Sequence, residues 1–279
     1  MNRRTEHDEK RKNRLKISAV QAAPVVGNKE ENLRIIEEYT VREKAELIIF
    51  PELFLTGYLC KDELPRLGIT LHGWEIKRLE DISRSTGSYI IVGAPVTTER
   101  GELFNSALLI GPEGYIGRYD KFHLPNFLPF EESIFFTEGK KIPVFDTDIG
   151  RIGMLICYDI FFPEVVQALS LQGAQIVVNI SASPSISRDF FETLTPARAV
   201  ENTVFYIYTN LVGTEERLTF WGGNTIVSPK GFIITKGKYF EEQAVSATID
   251  LREIKSARLG RPVLRDKRRE AFEILKGLL

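Results

Sequence analysis

The chain has 279 residues, 43% of them hydrophobic, and 37 Lys and Arg against 38 Asp and Glu leave a net charge of -1. Such content supports an extended core, while the charge balance offers no general attraction to nucleic acid or to an anionic membrane. The longest apolar stretches, 89–96 and 175–180, fall far short of the roughly 20 residues a membrane-spanning helix needs.

Residues 1–14 mix Arg3, Arg4, Lys10, Arg11, Lys12 and Arg14 with Glu6, Asp8 and Glu9, have almost no apolar content, and are expected to be a disordered charged tail. From Leu15 the pattern predicts a strand over 15–21, an amphipathic helix over 29–44 and a strand over 46–50, a βαβ unit. Asn28 opens that helix, with Glu31 at the capping-box position. A helix over 74–85 precedes a strand over 89–96, and strands 103–110 and 115–119 form a hairpin through Gly111-Pro112-Glu113-Gly114. A strand over 152–156 leads to Cys157, and Pro163 suits the first turn of a helix ending at Leu171. A strand over 175–180, a helix over 190–202 and a strand over 204–209 follow. Two strands then flank Ser228-Pro229-Lys230-Gly231, and a strand over 244–249 and a helix over 266–278 close the chain. No linker, repeat or composition break divides 15–279, so one domain is expected. Its predicted fold is α/β, a four-layer α-β-β-α sandwich of two mixed sheets with helices on the outer faces.

Only Cys60 and Cys157 occur, too few for a disulfide framework and in keeping with a reducing cytoplasm. The three histidines, His7, His72 and His123, are scattered, and no metal site is expected.

Three apolar strands end on an ionisable residue. The run 152–156 delivers Cys157 to a strand-to-helix connection, where a helix N-terminus lowers thiol pKa and favours the thiolate. Taken alone, such a cysteine is more often inert core than nucleophile. In Ile48-Ile49-Phe50-Pro51-Glu52 the proline cannot donate a ladder hydrogen bond, so pairing stops and Glu52 lies beyond the sheet edge. It is a site carboxylate, a helix cap or a solvated group. Gly117-Arg118-Tyr119-Asp120-Lys121 ends a hairpin strand on Lys121, a residue type that is usually solvated.

The combination is more specific than its parts. Phe50-Pro51-Glu52 with Thr56-Gly57-Tyr58, then Tyr119-Asp120-Lys121-Phe122-His123-Leu124-Pro125, then Gly153-Met154-Leu155-Ile156-Cys157-Tyr158-Asp159, resemble in order the Glu-Lys-Cys motifs of the nitrilase superfamily of carbon-nitrogen hydrolases. The resemblance runs from Leu15 to about Asp250, and Ala197-Arg198-Ala199-Val200-Glu201-Asn202 is similar to the family's later helix. It implies that Cys157 attacks the amide carbon to form a thioester, with Glu52 taking its proton and later activating water. Lys121 and the Tyr158 N-H would stabilise the oxyanion, with no cofactor required. A second glutamate, Glu132 in Phe130-Glu131-Glu132-Ser133-Ile134-Phe135-Phe136, would support Lys121, with Glu131 the neighbour in reserve. Glu138-Gly139 stands where the family often has Pro-Gly.

Pro51 to Tyr58, His123-Leu124-Pro125-Asn126-Phe127 and Ser181-Ala182-Ser183-Pro184 are similar to the glutamine-hydrolysing domain of glutamine-dependent NAD synthetases. This implies a primary amide substrate, with Tyr58, Phe127 and Ser183 lining the pocket beside Tyr158 and Phe161. Phe162 and Trp221 are pocket wall or plain core; Asp159 and Asn179 are site or structure, and Arg198 suits a structural ion pair. No phosphate loop occurs, so the expected activity is hydrolysis of a small linear amide, releasing ammonia or amine. An N-carbamoyl amidohydrolase is the runner-up, since Val212-Gly213-Thr214-Glu215 is similar to such enzymes. A nitrilase and a non-catalytic scaffold of the same fold follow. The resemblance also implies a homodimer or higher homo-oligomer, with 251–279, including Phe272, Ile274 and Leu275, at the subunit interface.

Overall fold

A computed structural model describes residues 13–278. Most of the expected charged tail therefore lies outside the described residues, while Arg14 already belongs to the first strand. The first sheet contains β1 (Arg14–Gln21), β2 (Leu47–Ile49), β3 (Tyr89–Thr97), β4 (Leu103–Gly111), β5 (Gly114–Asp120) and the last strand, β14 (Gln243–Asp250). The second contains β6 (Val144–Thr147), β7 (Gly150–Ile156), β8 (Ile176–Ser181), β9 (Phe205–Asn210), β12 (Thr225–Val227) and β13 (Ile233–Lys236). A separate hairpin pairs β10 (Val212–Glu215) with β11 (Leu218–Trp221).

The two sheets share one plan. Their orders are β14-β1-β2-β3-β4-β5 and β13-β12-β9-β8-β7-β6. Three parallel strands, β1-β2-β3 or β7-β8-β9, form each centre, flanked on one side by an antiparallel edge strand and on the other by two antiparallel strands. Alternation along the strands separates the layers. Leu47 and Ile49 of β2, with Tyr89 and Ile91 of β3, enter the core shared with the second sheet. Ile48, Ile90 and Val92 face the other way, into the cluster holding Leu33 and Ile36 of the helix Lys29–Glu43 and Leu79 of the helix Trp74–Thr86. Leu169 of the helix Pro163–Leu171 and Ala199 of the helix Arg188–Asn202 belong to the shared core's cluster with β7, β8 and β9. The expected α-β-β-α sandwich is what forms.

Asn28 caps the first helix as its sequence suggests, its side-chain oxygen accepting from the Glu31 N-H at 3.1 Å. Elements too short to show a period were not predicted: β6, the β10-β11 hairpin, and the single turns Leu64–Leu67 and Glu132–Phe135. The last helix shrinks to Arg269–Lys276, and a further helix, Arg252–Gly260, precedes it. Arg252–Gly260 buries Ile254 and Ala257, whereas Phe272, Ile274 and Leu275 stay exposed. Among the described residues no helix is long and apolar enough to cross a membrane.

Candidate active site

The carboxyl ends of β2, β5, β7 and β8 meet between the sheets, the usual place for a site in a parallel arrangement. After β2, the Phe50 N-H still donates to Ile91 at 2.7 Å; Pro51 then ends the ladder and Leu53 adopts a left-handed φ of 49°. Gly93 of β3 makes room for this exit. A Cβ there would lie 2.3 Å from the Leu53 nitrogen and 2.6 Å from the Glu52 Cα. Beyond β5, the Lys121 N-H donates to the Asn105 carbonyl at 2.8 Å, and the Gly139 N-H donates to the Lys121 carbonyl at 2.8 Å. A Cβ on Gly139 would meet the Asp120 carbonyl oxygen at 2.1 Å, which explains why this loop carries glycine.

These exits bring Glu52, Lys121 and Glu132 into one buried cluster. The Lys121 ammonium lies 2.8 Å from Glu52 Oε1 and 2.7 Å from Glu132 Oε1. Asn105 Nδ2 donates to Glu52 Oε1 and the Ala182 N-H to Oε2, each at 2.7 Å. The Tyr58 hydroxyl donates to Glu132 Oε1 at 2.7 Å. Burial opposes the Lys121 charge, but Glu132 and Glu52, helped by Cys157, outweigh it and hold its pKa above the ordinary lysine range. Lys121 and both oxygens of Glu52 have partners here, which offsets the cost of removing them from water, whereas Glu132 Oε2 has none.

Cys157 opens a short turn, Cys157–Phe161, directly after β7. Its φ of 46° is one that L residues rarely adopt, a conformation that the surroundings must enforce. They do so through Asn179, whose Oδ1 accepts the Cys157 N-H at 2.7 Å, and through Asp159. The Asp159 carboxyl accepts from the Ile156 N-H at 3.2 Å, the His123 N-H at 2.9 Å and the Tyr119 hydroxyl at 2.7 Å. It thereby ties the Cys157 turn to the segment carrying Lys121. The thiol itself differs from the sequence expectation. Burial raises its pKa well above the usual cysteine value and Glu52 adds to this, with Lys121 opposing. A helix terminus acts weakly against such terms, and the full helix begins only at Pro163. Burial and Glu52 thus act against the thiolate, and Lys121 acts for it.

Cys157 borders a cavity of about 270 Å³. Phe127, Tyr158, Phe161 and Ser183 are among the residues that line it. The family model for carbon-nitrogen hydrolases matches residues 16–259. The chain belongs to this family. It is 35% identical to the glutamine-dependent NAD(+) synthetase of Aquifex aeolicus over 239 residues, covering 84% of this chain and 41% of that one. The chain thus spans about two fifths of that relative. It is 31% identical to a nitrilase of Pyrococcus abyssi, covering 92% of this chain and 99% of the relative. The crystal structure of an amidase from Nesterenkonia sp. aligns with a TM-score of 0.81 at 26% identity, covering 95% of this chain and 96% of that one. The chain is therefore a carbon-nitrogen hydrolase enzyme with amidase relatives.

Other expected site residues fall elsewhere. Tyr58 does not line the Cys157 cavity; it stands behind Glu132, because Glu215 accepts the N-H groups of Tyr58 and Leu59 at 2.9 and 2.8 Å and turns the ring against Phe220. Trp221 is core, stacked on Tyr208, and Phe162 stacks on His123. Arg198 is structural, donating to the Ile160 carbonyl and to Glu201 at 2.8 Å each. Of the reserve pair, Glu132 is the buried member and Glu131 is exposed. Sequence reading missed Phe130, Phe190 and Phe191, which complete the cavity wall, and Asn105 and Gly93, which seat Glu52.

Burial raises the Glu132 carboxyl to about 7; Lys121 opposes this and Glu52 reinforces it. A carboxyl whose folded pKa lies above its ordinary 4.5 costs no stability below that value and its full penalty above about 7. Wild type should therefore lose stability relative to Glu132→Gln as pH rises through this window. Denaturant midpoints for both proteins across the window check this; parallel pH profiles would contradict it.

Proposed function

We propose that the protein hydrolyses the carbon-nitrogen bond of a small linear amide through a Cys157 thioester. The observation that carries this reading is the buried Glu52-Lys121-Glu132 cluster electrostatically coupled to Cys157 at the edge of a cavity. Sγ bonds to the carbonyl carbon as its proton passes to Glu52 and the carbonyl electron pair moves onto the oxygen. Lys121 and the Tyr158 N-H stabilise the oxyanion, each preorganised donor contributing about 3 kcal/mol. Glu52 returns the proton to the departing nitrogen as the C-N bond breaks. Water then attacks the thioester as Glu52 takes its proton, and Glu52 passes that proton to Sγ as the C-S bond breaks, giving the carboxylic acid and restoring the thiol and the carboxylate.

A variant of the Nesterenkonia amidase, 25% identical and aligned with a TM-score of 0.80, carries the acetamide moiety of fluoroacetamide covalently added at its active-site cysteine. That adduct keeps its carboxamide, so it supports a nucleophilic thiol at the position of Cys157. The Pyrococcus nitrilase supports a second reading, attack of the same thiol on a nitrile carbon. Intact-mass spectrometry with ammonia detection, over a panel of primary amides, N-carbamoyl amino acids and nitriles, tests both. The expected result is ammonia release with an acyl adduct mapped to Cys157. Neither product nor adduct anywhere in the panel would sink the reading.

A further inference from the structure

Six aromatic rings dominate the wall of the Cys157 cavity, and they touch one another around it. Phe130 meets Phe127 at 5.5 Å between centroids, Phe127 meets Tyr158 at 5.4 Å, and Tyr158 meets Phe161 at 5.4 Å. Phe161 then contacts Phe191 at 5.6 Å and Phe190 at 6.2 Å. The polar side chains along the lining are Cys157, Tyr158, Ser183 and Ser187. Among the described residues no Lys, Arg, Asp or Glu lines this space. Arg188, next in sequence to Ser187, lies over the Tyr239 ring and pairs with Asp189. Within the buried cluster, two carboxyl groups share the single Lys121 ammonium, so no cation is left there to pair an anionic acyl chain.

The consequence for a substrate is selective. An acyl group bearing a carboxylate or an ammonium would be desolvated here without a partner, a cost that neutral groups escape. Planar apolar groups gain instead, since aromatic side chains favour edge-to-face and offset contacts at such spacings. An apolar cavity of roughly 150 Å³ suffices to take up benzene. The cavity here, about 270 Å³, has room for a ring together with a short linker and a carboxamide.

We infer that the acyl group accepted beside Cys157 is neutral and aromatic, an aryl or short arylalkyl carboxamide, and that amides carrying a charged head group are rejected. This rests on the thiol-hydrolase reading above and names its substrate class. Neither glutamine nor an N-carbamoyl amino acid fits that class, although both belong to activities the sequence resembles.

The test compares phenylacetamide with acetamide, 4-carbamoylbutanoate and L-glutamine in two measurements. With wild type, kcat/KM for ammonia release from phenylacetamide is expected to exceed that for either charged amide at least a hundredfold and that for acetamide at least tenfold. With Cys157→Ala, calorimetry is expected to give at least tenfold tighter binding of phenylacetamide than of 4-carbamoylbutanoate. In Phe190→Arg, at a side chain that is 60% exposed, the preference for phenylacetamide over 4-carbamoylbutanoate should fall at least tenfold. Turnover or binding that favours a charged amide or acetamide overturns the inference and leaves the thiol mechanism standing, as does an unchanged preference in Phe190→Arg. Binding preference retained without any turnover supports the inference and removes the thiol mechanism. Phenylacetamide that neither binds nor reacts overturns it.

Discussion

Cys157→Ala is expected to lower kcat by roughly 10⁴ to 10⁶ while leaving the fold in place, because losing a covalent nucleophile removes the whole two-step path. The structural cost is small. Cys157 is buried, but the change removes one sulfur atom and leaves a void that costs about 1 kcal/mol. Its backbone N-H keeps its bond to Asn179 Oδ1, and the φ of 46° is no harder for alanine than for cysteine. Stopped activity with a nearly unchanged melting temperature is therefore the expected pair of results. Cys157→Ser should be almost as inactive, since a hydroxyl is a far poorer nucleophile in the same buried position. The free enzyme should also alkylate slowly for an active-site thiol, because burial and Glu52 raise the thiol pKa. Retained turnover in Cys157→Ala would end the proposed mechanism.

The parts of this site legible in the sequence are those written locally. Glu52 and Cys157 each follow an apolar run within a few residues, and Lys121 ends a strand marked by its hairpin turn, so strand and strand end are visible together. The sandwich was legible for the same reason, since its long strands and helices carry clear periods. What escaped depends on residues far apart in the chain. The Ala182 N-H reaches Glu52 across 130 positions and Glu215 reaches Tyr58 across 157, and no local pattern signals either contact. The direction of the Cys157 pKa shift was misread because a helix terminus is visible in sequence, whereas the burial and the Glu52 carboxylate that raise it appear only once the sheets close. Phe190 and Phe191 were read as the opening of a helix. The short turn Ser185–Ser187, which carries no period, brings them over Cys157.

Lys121→Met should show how stability and chemistry are coupled here. Methionine matches the length of lysine, so packing is nearly preserved and the change isolates the charge. Lys121 is fully buried between Glu52 and Glu132, and removing one partner of a buried ion cluster typically costs about 3 to 5 kcal/mol. The sign with pH follows from the raised Lys121 pKa. Its stabilising contribution is complete below the ordinary lysine value of 10.5 and is lost only above it, so the deficit is present at neutral pH. It shrinks in acid, where Glu132 takes up a proton and one of the two uncompensated charges disappears. Activity should fall about a thousandfold from the lost oxyanion cation alone. Lys121→Arg should not restore it, because a planar guanidinium cannot occupy the ammonium's position between two carboxylates. The double variant Lys121→Met with Glu132→Gln separates the two roles: it removes one carboxyl charge with the ammonium and should regain much of the stability. Its kcat should remain at the level of the single variant, as measured by denaturation and ammonia release on the same preparations. Recovery of both together would mean that Lys121 serves only to hold the fold.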